Sequence, residues 1–191
     1  MIRLSVEFII ANGREIEMRR YILDLDDTLA RTTEDLGGDP LRGIEGDPAR
    51  IPYLTLVPGA VEFLETHKKS CILLTAGKKE DQDRKIEVLG IREYFKEIHI
   101  VPRPLDKLKK LEEIVWKLKR WRSTFNIIII GDRLDVELSK GVQLGCITAR
   151  IRIPGGRHSH EISIGSPITE TPWMEAKDFN ELMKKFPGLM C

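Results

Sequence analysis

Side-chain amides are scarce in this chain: Asn12, Asn126, Asn180, Gln82 and Gln143 are the whole set, against 31 Lys plus Arg and 30 Asp plus Glu. Few thermolabile amides beside many charges point to a heat-adapted source. Cysteine is rarer still. Cys71, Cys146 and Cys191 are odd in number and widely spaced, which excludes a disulfide framework and offers no pair to clip a zinc ion. A reducing cytoplasm is the expected compartment. Neither sign of charge dominates, the formal net charge being +1, so no global field directs the chain to nucleic acid, a membrane surface or a strongly acidic partner. No apolar run reaches the length of a spanning helix. The first residues carry Arg3 and Glu7 and no small-residue cleavage site, so they do not read as a secretion signal. Internal repeats and low-complexity segments are absent too.

What is present suffices for one domain with a sizeable core over residues 1–191, 41% of them hydrophobic. Ile2, Leu4, Val6, Phe8 and Ile10 alternate with mostly polar residues, Asn12-Gly13 is the pair a two-residue hairpin turn favours, and Ile16 and Met18 resume the alternation. Residues 1–19 therefore read either as an N-terminal β-hairpin or, if Met18 rather than Met1 is the start, as an extension. Then short apolar runs alternate with amphipathic segments: strands at Tyr21–Leu25, Cys71–Leu74, Glu97–Val101, Asn126–Ile130 and Cys146–Arg150. Helices are expected over Pro58–Lys69, Lys78–Leu89, Leu105–Arg120 and Leu134–Leu144, with a last one near Ala176–Phe186. In the longest, Leu108, Leu111, Val115 and Leu118 form one apolar stripe for the core. Strands separated by helices need crossovers, so the class is doubly wound α/β, with a mainly parallel, Rossmann-like sheet and helices on both faces. Residues 30–53, rich in Gly and Pro, break the rhythm and read as a flap or loop insertion.

In a parallel sheet the residues that end the strands face the ligand. Here the runs end in Asp24-Leu25-Asp26-Asp27-Thr28, Thr75-Ala76-Gly77 and Gly131-Asp132, which aims Asp24, Thr75 and Asp132 at one edge. Any one acid could be a helix cap, but three strands agree. Carboxylates ~4 Å apart repel by about 4 kcal/mol per pair at an effective dielectric near 20, so the cluster calls for protons or a cation. Magnesium takes such oxygens and leaves room for a phosphate. In phosphate chemistry Asp24 can be a covalent nucleophile, and Asp26 can protonate the leaving oxygen and later activate water.

Asp24-Leu25-Asp26-Asp27-Thr28-Leu29, Thr75 after an apolar strand, a Lys near 107 and Gly131-Asp132-Arg133 resemble, in order and context, the four motifs of the haloacid dehalogenase-like phosphohydrolases. The resemblance covers roughly residues 20–150. It implies Asp24 as nucleophile, Asp26 as acid/base and carbonyl donor to the metal, Thr75 as donor to the phosphoryl group, and Lys107 as its neutralising cation. The substrate-binding set becomes Thr75, Ala76, Gly77 and Lys107, and the magnesium set Asp24, Asp26, Asp132 and Glu137. Lys107 is preferred to Lys109 and Lys110 because it lies nearest the preceding strand. Glu137 stands where the commonest pattern has Asp, with Asp135 as the competing acid. Asp27 reads as a cap or a solvent-facing residue, and Thr28 as a brace for the loop after the nucleophile.

The resemblance implies a magnesium-dependent phosphomonoesterase working through an aspartyl-phosphate. The alternatives are a dehalogenase of the same fold, which would need neither magnesium nor Asp26, and a non-catalytic magnesium- or phosphate-binding module. No full cap domain fits, since residues 30–53 make at most a flap. An open site suits a phosphorylated macromolecule, or a phosphorylated small molecule enclosed by a partner subunit in a homo-oligomer. His158 and His160 with Arg150, Arg152 and Arg157 make a basic patch that reads as a solvated loop, and Arg120-Trp121-Arg122 reads as a helix end rather than a nucleic-acid contact.

Overall fold

The run Ile127-Ile128-Ile129-Ile130 is β-branched throughout, the composition of a strand buried on both faces. In the computed structural model, which describes residues 8–11, 14–17, 19–42, 44, 46–119, 126–161 and 172–190, its side chains alternate between two core clusters. Ile128 and Ile130 join one, Ile127 and Ile129 the other. The same period of two divides Tyr21 and Leu23 from Ile22, and Cys71 and Leu73 from Ile72 and Leu74.

The strands in chain order are β1 (Phe8–Ala11), β2 (Arg14–Glu17), β3 (Arg20–Leu23), β4 (Cys71–Ala76), β5 (Phe95–Val101), β6 (Ile127–Gly131), β7 (Ile147–Ile151) and β8 (Met174–Ala176). β1 and β2 pair antiparallel, Ala11 opposite Arg14, as the hairpin reading requires. The Asn12-Gly13 turn, both candidate starts, Cys191 and Arg120-Trp121-Arg122 lie outside the described residues. The other six strands form an all-parallel sheet in the order β5-β4-β3-β6-β7-β8. After β3 the chain builds outward through β4 and β5, then returns to the far side of β3 to place β6. That reversal opens the crevice in which doubly wound sheets hold ligands.

The helices are α1 (Thr32–Asp35), α2 (Ala60–Thr66), α3 (Lys79–Val88), α4 (Asp106–Lys119), α5 (Ser139–Gln143) and α6 (Phe179–Lys185). Phe63 and Leu64 of α2, Ile86 of α3, and Phe179 and Leu182 of α6 cover one face of the sheet. Leu111, Ile114 and Val115 of α4 cover the other, with Leu108 and Leu118 half-buried at the ends of the stripe. No helix among the described residues is long and apolar enough to cross a membrane.

Two expectations need correction. The last segment is not one helix: Met174 and Ala176 point inward and Glu175 only half so, making a sixth parallel strand before Asp178 caps α6 by accepting from Glu181 N at 2.7 Å. Three residues are too few for strand alternation to stand out. The helix expected over Leu134–Leu144 starts instead as a π-helical turn, Leu134–Leu138, and continues as α5.

The flap is ordered by its own bonds. Beside α1 it holds two 3-10 turns, Pro40–Arg42 and Pro48–Tyr53. Asp47 N donates to Leu36 O at 2.8 Å, and Asp35 accepts from both the backbone N and the Oγ1 of Thr55 at 2.7 Å. Leu36 and Ile51 anchor it in the core.

Candidate active site

Asp24 follows β3 directly, its N–H held by Ile130 O of β6 at 3.0 Å and its Oδ1 accepting from Leu25 N at 2.8 Å. Asp132 follows β6. Glu137 comes in from the π-helical turn, where Arg133 N donates to its Oε1 at 3.2 Å. Gly131 makes the approach feasible, because a Cβ there would stand 2.4 Å from Glu137 Oε1. Oxygens of Asp24, Asp132 and Glu137 lie within 4.8 Å of one another, and all three residues are buried. Lys107, in the first turn of α4, donates to Asp24 Oδ2 at 2.7 Å and to Glu137 Oε2 at 3.4 Å. Lys110 pairs with Glu113 on the surface and Lys109 is exposed. Asp135 turns outward to Arg133 at 2.8 Å. Of the alternatives left open by the sequence, Lys107 and Glu137 are therefore the ones at the cluster.

The cluster is electrostatically tense. Burial, moderated by Lys107 and reinforced by Glu137 and Asp26, pushes Asp24 up to about 7. Burial and the Glu137 and Asp24 charges push Asp132 well above the usual carboxylate range. Lys107 moves upward despite its burial, because Asp24 and Glu137 stabilise its charge. Three buried carboxylates against one ammonium leave room for a divalent cation, and hard carboxylate oxygens are the donors magnesium prefers. The donor set thus fits the metal: Asp24, Asp132 and Glu137 would hold it.

The side chain of Asp26 stands outside that set. Its carboxylate accepts from Lys85 Nζ at 2.6 Å, Gln82 Nε2 at 2.9 Å and Thr32 Oγ1 at 2.7 Å. Burial alone would raise its pKa, but the Lys85 charge and these hydrogen bonds outweigh it and hold the group below its ordinary value. Thr75 is fully buried, its Oγ1 bonded to Gln82 Oε1 at 3.2 Å. Ala76 lines the chamber over the cluster. Gly77 is placed differently, since its N–H is taken by Val101 O at 2.9 Å and the residue lines a neighbouring cavity.

Asp27 does not face solvent, but it does cap α1 by taking the N–H of Thr33 in its first turn. It is buried with φ +50° and accepts from Thr33 N and Arg157 N, each at 2.8 Å, and from Thr33 Oγ1. It ties the flap to the loop after β7. Thr28 is fully buried, its Oγ1 having no partner. The basic patch is a solvated loop only in part, with Arg157 and His160 exposed. Arg150 is fully buried and donates to the backbone carbonyls of Asp132 (3.1 Å), His158 (2.7 Å) and Glu161 (3.0 Å), which sets Arg157 and His158 on the chamber wall. Sequence reasoning also passed over Gln82 and Lys85. Their signal was there: they stand three apart on α3, on the face that buries Ile86.

No protein-family model and no curated protein matches the sequence. Solved structures do match. A magnesium-bound Bacillus subtilis protein, YfnB, described as a HAD-hydrolase, superposes with a TM-score of 0.62 at 15% identity, over 88% of this chain and 98% of its own. A HAD family hydrolase from Deinococcus radiodurans with bound phosphate and sodium gives 0.62 at 13% identity, over 90% and 96%. L-2-haloacid dehalogenase from Xanthobacter autotrophicus, with chloropropionic acid covalently bound, gives 0.56 at 14% identity, over 90% and 99%. The chain has the haloacid dehalogenase-like fold.

Proposed function

We propose that this protein is a cytoplasmic, magnesium-dependent phosphomonoesterase acting through an aspartyl-phosphate. One observation carries the reading: Asp24 sits 2.7 Å from Lys107 within a buried set of carboxylates, with a second acid two residues on. Asp24 attacks the phosphorus of the ester, the bond from phosphorus to the leaving oxygen breaks, and Asp26 supplies that oxygen with a proton. Water then gives a proton to Asp26 and attacks the same phosphorus, releasing phosphate and the Asp24 carboxylate. Lys107 offsets charge on the phosphoryl oxygens throughout. Magnesium held by Asp24, Asp132, Glu137 and the Asp26 carbonyl would supply further positive charge to the phosphoryl group. As an ionised carboxylate holding three donors, Asp26 is set for the second step; for the first it must take up a proton and release Lys85.

The phosphate-bound and magnesium-bound proteins of the same fold support this reading. Dehalogenation, the chemistry of the Xanthobacter protein, leaves the Asp26 network and the acidic set without a use. The test is hydrolysis of an aryl phosphate with and without magnesium, beside Asp24→Asn. Magnesium-dependent release that falls at least about 1,000-fold in the variant is expected; equal release by folded Asp24→Asn would remove the covalent step.

A further inference from the structure

Thr75 and Gly77, both expected at the substrate, each meet Gln82 of α3. Thr75 has no exposed surface, and Ala76 rather than Thr75 lines the chamber over Asp24. Its Oγ1 lies 3.2 Å from Gln82 Oε1. Gly77 has φ +148°, and a Cβ there would stand 2.8 Å from Gln82 Nε2, so glycine leaves the room that this buried amide occupies. The amide has one orientation that satisfies its neighbours. Asp26 Oδ2 at 2.9 Å and Ala76 O at 3.2 Å are a carboxylate and a carbonyl oxygen, which accept, so the amide nitrogen faces them. That turns Oε1, an acceptor, to Thr75, whose hydroxyl must donate its single proton there.

We infer that Thr75 and Gln82 are positioning residues for Asp26: Thr75 acts on the acid/base through the Gln82 amide and does not donate to the phosphoryl group. The inference rests on the phosphomonoesterase reading and assigns the support of its acid/base. A hydroxyl whose proton is held by Gln82, on a residue without exposed surface, has nothing to offer a phosphoryl oxygen in the chamber. What it does offer is order. The Thr75 bond fixes the amide plane and, by polarising the amide, strengthens the bond from Nε2 to Asp26. Gln82 is also the one of the three donors to Asp26 that serves Oδ2, Lys85 and Thr32 both serving Oδ1. An amide donor is neutral, so its bond to Oδ2 survives when Asp26 takes up a proton and Lys85 is released. Held by Oδ2, the carboxyl keeps its plane while Oδ1 carries the proton to the leaving oxygen.

The test compares kcat/KM, with magnesium present, for p-nitrophenyl phosphate, whose leaving group departs without a proton, and for glycerol phosphate, whose alkoxide needs one. Thr75→Val and Gln82→Met, each close to the native side chain in size, should lose at least about tenfold more on glycerol phosphate than on p-nitrophenyl phosphate. Thr75→Ser, which keeps the hydroxyl, should restore the wild-type ratio. In an Asp26→Asn background, Gln82→Met should cost less than about twofold further on glycerol phosphate, because the group it serves is already lost. Inhibition by orthovanadate, a mimic of the phosphoryl group in transfer, should change by less than about threefold in Thr75→Val. Losses that are equal on the two esters, or vanadate inhibition weakened about tenfold or more in Thr75→Val, make Thr75 a phosphoryl donor; they overturn the inference and leave the phosphatase reading standing. Release from neither ester by folded, magnesium-bound wild-type protein overturns both.

Discussion

His67 shows what one buried ring does to the acid side of the stability curve. It stacks on Tyr21 and Phe63 with centroids 4.2 and 4.6 Å away, and its Nε2 is buried without a partner. Burial, with the Arg19 charge adding to it, pulls its pKa from 6.5 to about 4. Between those values the unfolded chain binds a proton that the folded one refuses, so stability falls as pH drops through that window, by at most about 1.4 kcal/mol per pH unit. Above pH 7 His67 contributes no slope. Denaturant midpoints measured from pH 7 to pH 4 should show this loss, and His67→Phe should flatten it. Lys107 is the other residue whose position decides an outcome. Lys107→Ala should lower kcat/KM by about 100- to 1,000-fold, the cost of removing one aligned transition-state cation, whereas Lys109→Ala should stay within about twofold. Steady-state kinetics on an aryl phosphate distinguishes them, and equal losses would mean that the 2.7 Å contact with Asp24 is not what matters.

Among the elements, the loop after β7 depends most on a single side chain. Arg150→Met would leave the carbonyls of Asp132, His158 and Glu161 without their buried donor, at a cost of at least about 2 kcal/mol. Chemical denaturation reads that loss, and weaker magnesium binding should accompany it as Asp132 loosens. The sequence could not announce this role, because a run of arginines and histidines displays its charge and hides the backbone acceptors that the fold brings to it. For the same reason Gly77 reads as part of the substrate-binding set until its N–H is found on Val101 O. Where a side-chain pattern alone sets the structure, legibility was high. The buried strands, the α4 stripe and the convergence of Asp24 and Asp132 follow from apolar periodicity and from which residues end each run, whereas Lys107 was legible only through the family resemblance. What escaped was short or long-range: β8 has three residues, and the bond from Lys85 to Asp26 joins side chains 59 positions apart.

For the molecule as a whole, the magnesium reading makes folding and metal binding one equilibrium through the acidic set. Asp24 and Asp132 are raised by burial and mutual repulsion, so magnesium would have to displace a proton to enter. Added magnesium should raise the melting temperature, contributing about 2.7 kcal/mol at one hundred times its Kd. The gain should shrink as pH falls below about 7, where Asp24 takes up its proton. Calorimetry in buffers of different ionisation enthalpy would register the released proton, and a magnesium effect identical at pH 6 and pH 8 would rule out Asp24 as a ligand.

The place of β3 at the middle of the sheet has a consequence for how the protein is made. The ribosome delivers β3, β4 and β5 first, a wing that already owns Asp24, and α4 adds Lys107 before β6 exists. Asp132 and Glu137 arrive only with the second wing, laid along the opposite side of β3. A nascent chain at that stage holds Asp24 and Lys107 but only one of the three carboxylates of the acidic set. On the magnesium reading, a cation could be held only once the two wings have docked, so its capture would be timed by translation rather than by the ion.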